Sequence, residues 1–290
     1  MSRIRFQSKA NGLMTLRGKW LKAIIIFMLM VLLVLGFNEI DQSYRAAFGS
    51  PQFLSDGSLN ISQASLIIEA VFAFVVLLFL PPLFTGQTEW YWGLTEAKKK
   101  GIGDVFGWFG SFKLYIKSVG LAFNIFVRCL LWAILTCSVP VGILWADFYY
   151  FPPNFSLAAL NAQAVDYNTT VFCMLAAFAG LLLLGALFLL CLIIMRYFLA
   201  VFLMVEDNRR SVREVVRTSL SYSKGQRWGM LVFCMSFVLW FVSLFLWLPA
   251  LFVLPYFNAS ASVYAKHIIF TRRAKDKSIK AQPADITVAE

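Results

Sequence analysis

Catalysis or metal binding in this chain would have to start from one histidine, five cysteines and 15 carboxylates. His267 has no metal-ligating partners near it in sequence. Cys129, Cys137, Cys173, Cys191 and Cys234 all fall inside apolar runs, and none has CxxC spacing. They read as small packing residues rather than a metal site or a disulfide framework. Glu206-Asp207 is the only adjacent acidic pair within the apolar part of the chain, and Arg209 and Arg210 beside it make a charge-compensated turn the natural reading. Intramembrane hydrolases and transferases gather titratable groups at one depth. Here there is no HExxH, no GxSxG and no aspartate pair one helical turn apart within an apolar run. The glycine-rich stretch GIGDVFGWFG lacks the GKS or GKT ending of a phosphate loop and a strand before it. No catalytic residue, metal or cofactor is expected.

The elements that would position such groups follow from composition. Of 290 residues, 60% are hydrophobic and only 14% charged, whereas soluble domains are roughly 45–50% apolar and about 25% charged. So few charges cannot cover a water-facing globule of this size, so lipid must solvate much of the surface. A helix rises 1.5 Å per residue, and about 20 apolar residues cross the hydrocarbon core. On that rule six spans are expected: Trp20 to Phe37, Ala64 to Phe84, Ser118 to Val139, Thr170 to Met195, Trp228 to Leu248 and Ala250 to Ile269. Prolines 81, 82, 140, 249 and 255 mark helix ends or breaks, and the last two spans have a re-entrant pair as their alternative. A cleaved signal peptide is the rival reading of the first run, but no small-residue cleavage site follows it.

Orientation follows from Lys and Arg. All 26 except Arg45 and Arg128 fall in the leader, the second-to-third connection, the fourth-to-fifth region or the tail. That asymmetry makes the basic side cytoplasmic, with both termini on it. The fold expected is an all-α, polytopic bundle. Residues 1–19 are a basic leader, 20–270 a six-span membrane domain and 271–290 a disordered tail, with cytoplasmic interfacial helices near 86–112 and 211–224. Trp90, Tyr91, Trp92 and Trp108 suit the half-wet headgroup zone. The net charge of +11 sits in clusters between apolar runs, so nucleic acid is not an expected partner.

Two groups of residues remain as candidate sites. Ser211-Val212-Arg213-Glu214 is a capping-box pattern, and Val212, Val215, Val216 and Leu220 follow at helical spacing. The helix should turn Arg210, Arg213, Arg217, Lys224 and Arg227 towards anionic headgroups, each worth roughly 1 kcal/mol near the surface; simple orientation signalling is the alternative. The second group centres on Arg128. Counted from an outer end at Val139 it lies ~16 Å deep, near the middle of a ~30 Å core. A charge there should face the bundle and find partners. Asn258 and Tyr256 fall at similar depth and Glu69 nearer the outside, so an intramembrane cluster of Arg128, Glu69, Asn258 and Tyr256 is expected. It either holds helices together or receives an anionic solute or headgroup.

The stretches SKANGLMTLRGKWLKAI, PLFTGQTEWYWGLTEAKKKGIGDVFGWFGSF, LLWAILTCSVPVGI, SYSKGQRW and LPALFVLPYFNASASVYAKH resemble domain-of-unknown-function family 975, a group of bacterial integral membrane proteins. The resemblance implies an all-helical, multi-pass protein of the bacterial inner membrane, and it transfers no functional residue. The expected function is that of a non-catalytic membrane protein, acting as a scaffold, envelope-stress component or complex subunit. The alternative is a transporter or channel component for a small anionic solute or lipid headgroup, and a lipid-handling enzyme comes third. Membrane lipids and an unidentified protein are the expected partners.

Overall fold

The computed structural model describes residues 2–48, 52–53, 59–60, 63–151, 167–238, 240 and 247–281. Among the described residues there are nine α-helices: α1 Ser2–Leu16, α2 Trp20–Phe48, α3 Gln63–Thr95, α4 Phe112–Tyr150, α5 Tyr167–Ile194, α6 Ala200–Glu206, α7 Val212–Tyr222, α8 Arg227–Met235 and α9 Trp247–Ala281. A 3-10 helix, Gly103–Phe109, joins α3 to α4, and a short one, Met195–Tyr197, joins α5 to α6. A two-stranded antiparallel ribbon pairs β1 Gln52–Phe53 with β2 Leu59–Asn60.

Among the described residues, four segments are long and apolar enough to cross a membrane: Trp20–Arg45, Glu69–Thr95, Phe112–Tyr150 and Tyr167–Glu206. They correspond to the first four expected spans. Most of the fifth, Trp228 to Leu248, falls on α8 or outside the described residues. The sixth lies in α9 but is not among the four.

The helices are longer than their apolar runs suggest, for a reason visible at the prolines. Pro81 and Pro82 sit inside α3 and Pro140 inside α4, and neither helix stops there. Pro82 cannot donate to the Leu78 carbonyl four residues back. The Tyr115 hydroxyl donates to that carbonyl instead, at 3.2 Å. A freed carbonyl can be tolerated at membrane depth once a neighbouring helix satisfies it. Pro249 falls in the first turn of α9, where its missing N–H removes no helical bond.

Because α3 runs on, residues 86–95 belong to its last turns and do not form a separate interfacial helix. Trp90, Tyr91, Trp92 and Trp108 are accordingly not half wet: each is at most 3% exposed. The basic leader and the start of the expected disordered tail are both helical, and residues 282–290 of that tail lie outside the described residues. Residues 2–16 are helical and lie along α9, which itself continues to Ala281. Small residues on α9 let α1 approach. A Cβ added at Gly12 would stand 2.8 Å from the Ser260 Cα.

Burial is concentrated towards the basic end. One cluster joins Trp92, Leu121, Tyr197, α6, Val215 and Val216 of α7, Met230 and Phe233 of α8, and Tyr264, Ala265 and Ile268 of α9. A second joins Leu16, Ile26, Leu83, Trp90, Tyr91 and Val105. In contrast, only 6% of the apolar window of α4 and 11% of the Tyr167–Glu206 window are buried.

Candidate functional site

The region around α7 is built by backbone capping and a few charged ties. Ser211 is extended and accepts the Glu214 N–H on its hydroxyl at 3.2 Å, the cap expected from sequence. The Lys117 ammonium reaches from α4 to the carbonyls of Asn208, Arg209 and Arg210 at 2.6, 3.3 and 3.1 Å. Positive charge suits this carbonyl cluster just beyond a helix C-terminus. Ser219 and Ser223 donate to the Arg196 carbonyl at 2.8 and 3.0 Å, so α7 clasps the turn after α5. The Arg272 guanidinium of α9 donates to the Lys224 carbonyl beyond α7.

Val215 and Val216 are buried, and Val212 and Leu220 pack on the same cluster. The apolar face of α7 is therefore turned into the protein. On its other side Arg213, Arg217 and Lys224 are exposed. Arg210 is half-buried and ion-paired to Asp207 at 3.2 Å, and Arg227 is half-buried with its Nε unpartnered among the described residues. The acidic pair is compensated as expected, but from different directions. Glu206 takes two parallel bonds from Arg273, at 2.9 and 2.7 Å. Asp207 accepts from the Arg209 N–H, which with Arg210 holds its carboxyl below the ordinary range.

A third tie closes the connection between α3 and α4. Glu89 accepts from the Trp108 indole N–H at 2.7 Å and from Lys100 at 2.8 Å. Nearby, burial alone would raise the pKa of Glu96. The hydrogen bond and charge of Lys98, the charge of Lys266 and the Trp92 N–H outweigh it, and the carboxyl sits below its ordinary value.

The Arg128 group divides. Arg128 is exposed, and its Nε donates to Asn124 Oδ1 at 2.9 Å. Glu69 pairs instead with Arg45, at 3.5 Å. Tyr256 packs on Phe237 with ring centroids 5.4 Å apart, and the Asn258 carbonyl accepts from Ser262 at 2.9 Å. The four residues are not joined into one hydrogen-bonded or ion-paired cluster. Arg128 lines a groove of about 610 Å³ with Phe123, Asn124, Val127, Leu131, Trp132, Leu135 and Tyr197. Sequence reasoning missed Asn124, although its i,i+4 spacing to Arg128 is legible. It also missed Tyr197 and the Glu206–Arg273 pair, which no local pattern signals.

His267 lines a small cavity with Ile4, Gln226, Tyr264 and Arg272. The five cysteines are unpaired thiols, and no group of three or more metal-ligating residues is present among the described residues. Asp147 is 2% exposed, and among the described residues neither carboxylate oxygen has a hydrogen-bond partner.

A family model with the description "Protein of unknown function (DUF975)" matches residues 1–271. No curated protein and no solved structure matches the chain.

Proposed function

The chain belongs to the DUF975 family of proteins of unknown function, and from that premise we propose that it is a non-catalytic, six-span protein of the bacterial inner membrane. Both termini face the cytoplasm in this reading, and the protein acts as a scaffold or as a subunit of a larger complex. The observation that carries the membrane assignment is the bare apolar surface of the long helices, such as the 39-residue α4 with 6% of its apolar window buried. Exposed leucine and phenylalanine over that length need lipid as their solvent. The clustering of nearly all Lys and Arg between apolar runs supports the orientation. The last two crossings draw on α8, α9 and the residues between them.

The non-catalytic half of the proposal rests on how the ionisable groups are used. Glu89, Glu96 and Glu206 are absorbed in ties between neighbouring elements, and Asp207 in the turn after α6. Arg213, Arg217 and Lys224, exposed beside the buried valines of α7, form a surface suited to anionic headgroups.

Cysteine-accessibility labelling tests the topology. Single cysteines near Asp56 and Phe155 should label from outside, and those near Lys99, Arg210 and Lys277 only after permeabilisation. Labelling of intact cells at Arg210 overturns the orientation. Purification from native membranes with mass spectrometry tests the scaffold role, with a stoichiometric protein partner expected. A chain recovered alone, from several detergents, refutes it.

A further inference from the structure

We propose that the groove on α4 holds one anionic phospholipid of the basic-side leaflet, its phosphate on Arg128 and an acyl chain along the helix; this rests on the membrane assignment above. Depth is the first argument. α4 passes through Pro140 and ends at Tyr150, so its outer aromatic girdle is Trp145, Tyr149 and Tyr150, all about 70% exposed. From Tyr149 back to Arg128 is ~31 Å of helix, the thickness of the hydrocarbon core. Arg128 then stands at the inner boundary of that core instead of its centre. Tyr197, on the same groove, adjoins Arg196 at the end of the neighbouring apolar run.

Direction and charge agree with that depth. Asn124 is one turn nearer the basic end of α4, and its bond to Nε draws the Arg128 side chain that way. This uses one of five guanidinium N–H donors. No carboxylate is ion-paired to Arg128 among the described residues. A phosphate oxygen is the acceptor that the inner boundary of a bilayer supplies, and arginine can meet it with two parallel bonds.

Shape completes the case. Phe123, Val127, Leu131 and Leu135 recur every four residues and make one apolar row beside Arg128. The part of the row level with Arg128 and outward of it, Val127 to Leu135, is ~12 Å long, most of the ~15 Å depth of one leaflet's hydrocarbon. The groove thus carries its cation towards the basic side, next to Asn124 and Phe123, with Val127, Leu131 and Leu135 running away from it. Its volume of about 610 Å³ falls within the roughly 300–1,000 Å³ of ligand sites.

The test uses the full chain in mild detergent, titrated with phosphatidylglycerol or phosphatidylcholine, with bound lipid counted by native mass spectrometry. One phosphatidylglycerol should bind in preference to phosphatidylcholine. Arg128→Gln should weaken it about five-fold or more and level the preference, while Arg128→Lys keeps part of it. Leu131→Trp fills the apolar row without touching the charge and should weaken both lipids; it carries the test alone if Arg128→Gln does not fold. An unchanged preference in Arg128→Gln, or unchanged binding in Leu131→Trp, overturns the proposal. So does equal displacement by soluble glycerol phosphate, which assigns the groove to a free anion, or a dimer that Leu131→Trp dissociates, which assigns it to a second copy. Arg213→Gln with Arg217→Gln is measured alongside. A preference that follows those two and not Arg128 rejects the groove while leaving the α7 surface reading intact, and the labelling pattern reports on the membrane assignment separately.

Discussion

Removing the Arg273 side chain should loosen the end of α9 from the end of α6. The guanidinium makes two parallel bonds to Glu206, 2.9 and 2.7 Å long, across 67 residues of sequence. The Glu206 side chain is 13% exposed and that of Arg273 31%, so the pair lies between a surface ion pair and a buried one. Surface pairs contribute about 0.2–1 kcal/mol, and breaking a buried pair costs about 3–5 kcal/mol because the remaining charge is stranded. For this partly solvated geometry Arg273→Ala should cost about 2 kcal/mol. At roughly 2–4 °C per kcal/mol, that lowers the midpoint of thermal unfolding in detergent by about 4–8 °C. Glu206→Gln leaves an uncharged acceptor and should cost less, about 1 kcal/mol. In the double variant no carboxylate is left stranded, so its loss should fall short of the sum of the single losses by about 1 kcal/mol. The cycle is read from unfolding midpoints at low and high salt, with the coupling smaller at high salt. Strict additivity of the two substitutions refutes the assignment of this pair as a tie between the two helices.

Gly86→Ala should be among the most damaging small changes in the chain, since a Cβ there overlaps the Val105 carbonyl oxygen. A loss of about 2 kcal/mol or more, read as reduced folded yield, is expected from the backbone shift it forces, and wild-type yield contradicts the packing. Ser211→Ala removes the hydroxyl that accepts the Glu214 N–H and should cost about 1 kcal/mol, with Ser211→Asp restoring it; an unchanged melting midpoint argues against the cap. The Glu96 carboxyl is held below its ordinary value, so its share of stability is complete above the unfolded carboxylate value and is lost as pH falls through the lower folded value. Glu96→Gln should therefore flatten part of the acid limb of stability against pH, and an identical limb in both proteins excludes that contribution.

The four long apolar helices were legible because their signal is compositional: about 20 apolar residues in a row mean the same thing in any context. The α7 cap was legible because Ser211 and Glu214 sit three residues apart and act within one turn. Helix ends were not, because a proline ends a helix only if its freed carbonyl finds no other donor. The donor here, Tyr115, is 37 residues from Leu78 in sequence. Where α4 ends also sets the depth of Arg128 by residue count. Ending α4 at Pro140 puts Arg128 in mid-membrane, and ending it at Tyr150 puts the same residue at the boundary. The aromatic run from Trp90 to Trp92 misled for a related reason. Tryptophan next to a glycine-rich stretch has the composition of a membrane interface, but a helix continuing beneath the 3-10 segment buries it. Glu206 and Arg273 carry no sequence signal, since each alone looks like an ordinary solvated charge.

The uneven burial along this molecule has a physical reason. Between lipid-solvated helices there is little hydrophobic drive to associate, because lipid tails solvate leucine as well as another helix does. Close backbone approach and polar contacts must then fix how the helices sit. In this chain the described contacts of that kind lie largely towards the basic end: Gly12 on Ser260, Gly86 on Val105, Lys117 on the carbonyls after α6, and Glu206 on Arg273. The aromatic core joins them there, with Phe233 stacked on Tyr264 at 4.4 Å. Towards the other end, the Arg45–Glu69 ion pair ties α2 to α3, while α4 and α5 present leucine, isoleucine and phenylalanine outwards. The polar and close-backbone ties thus gather near the basic ends, while α4 and α5 pack on each other and leave their outer faces to lipid. Substitutions among exposed apolar residues of α4 and α5 should consequently be tolerated where those at the crossings are not, because only the crossings determine which helix meets which.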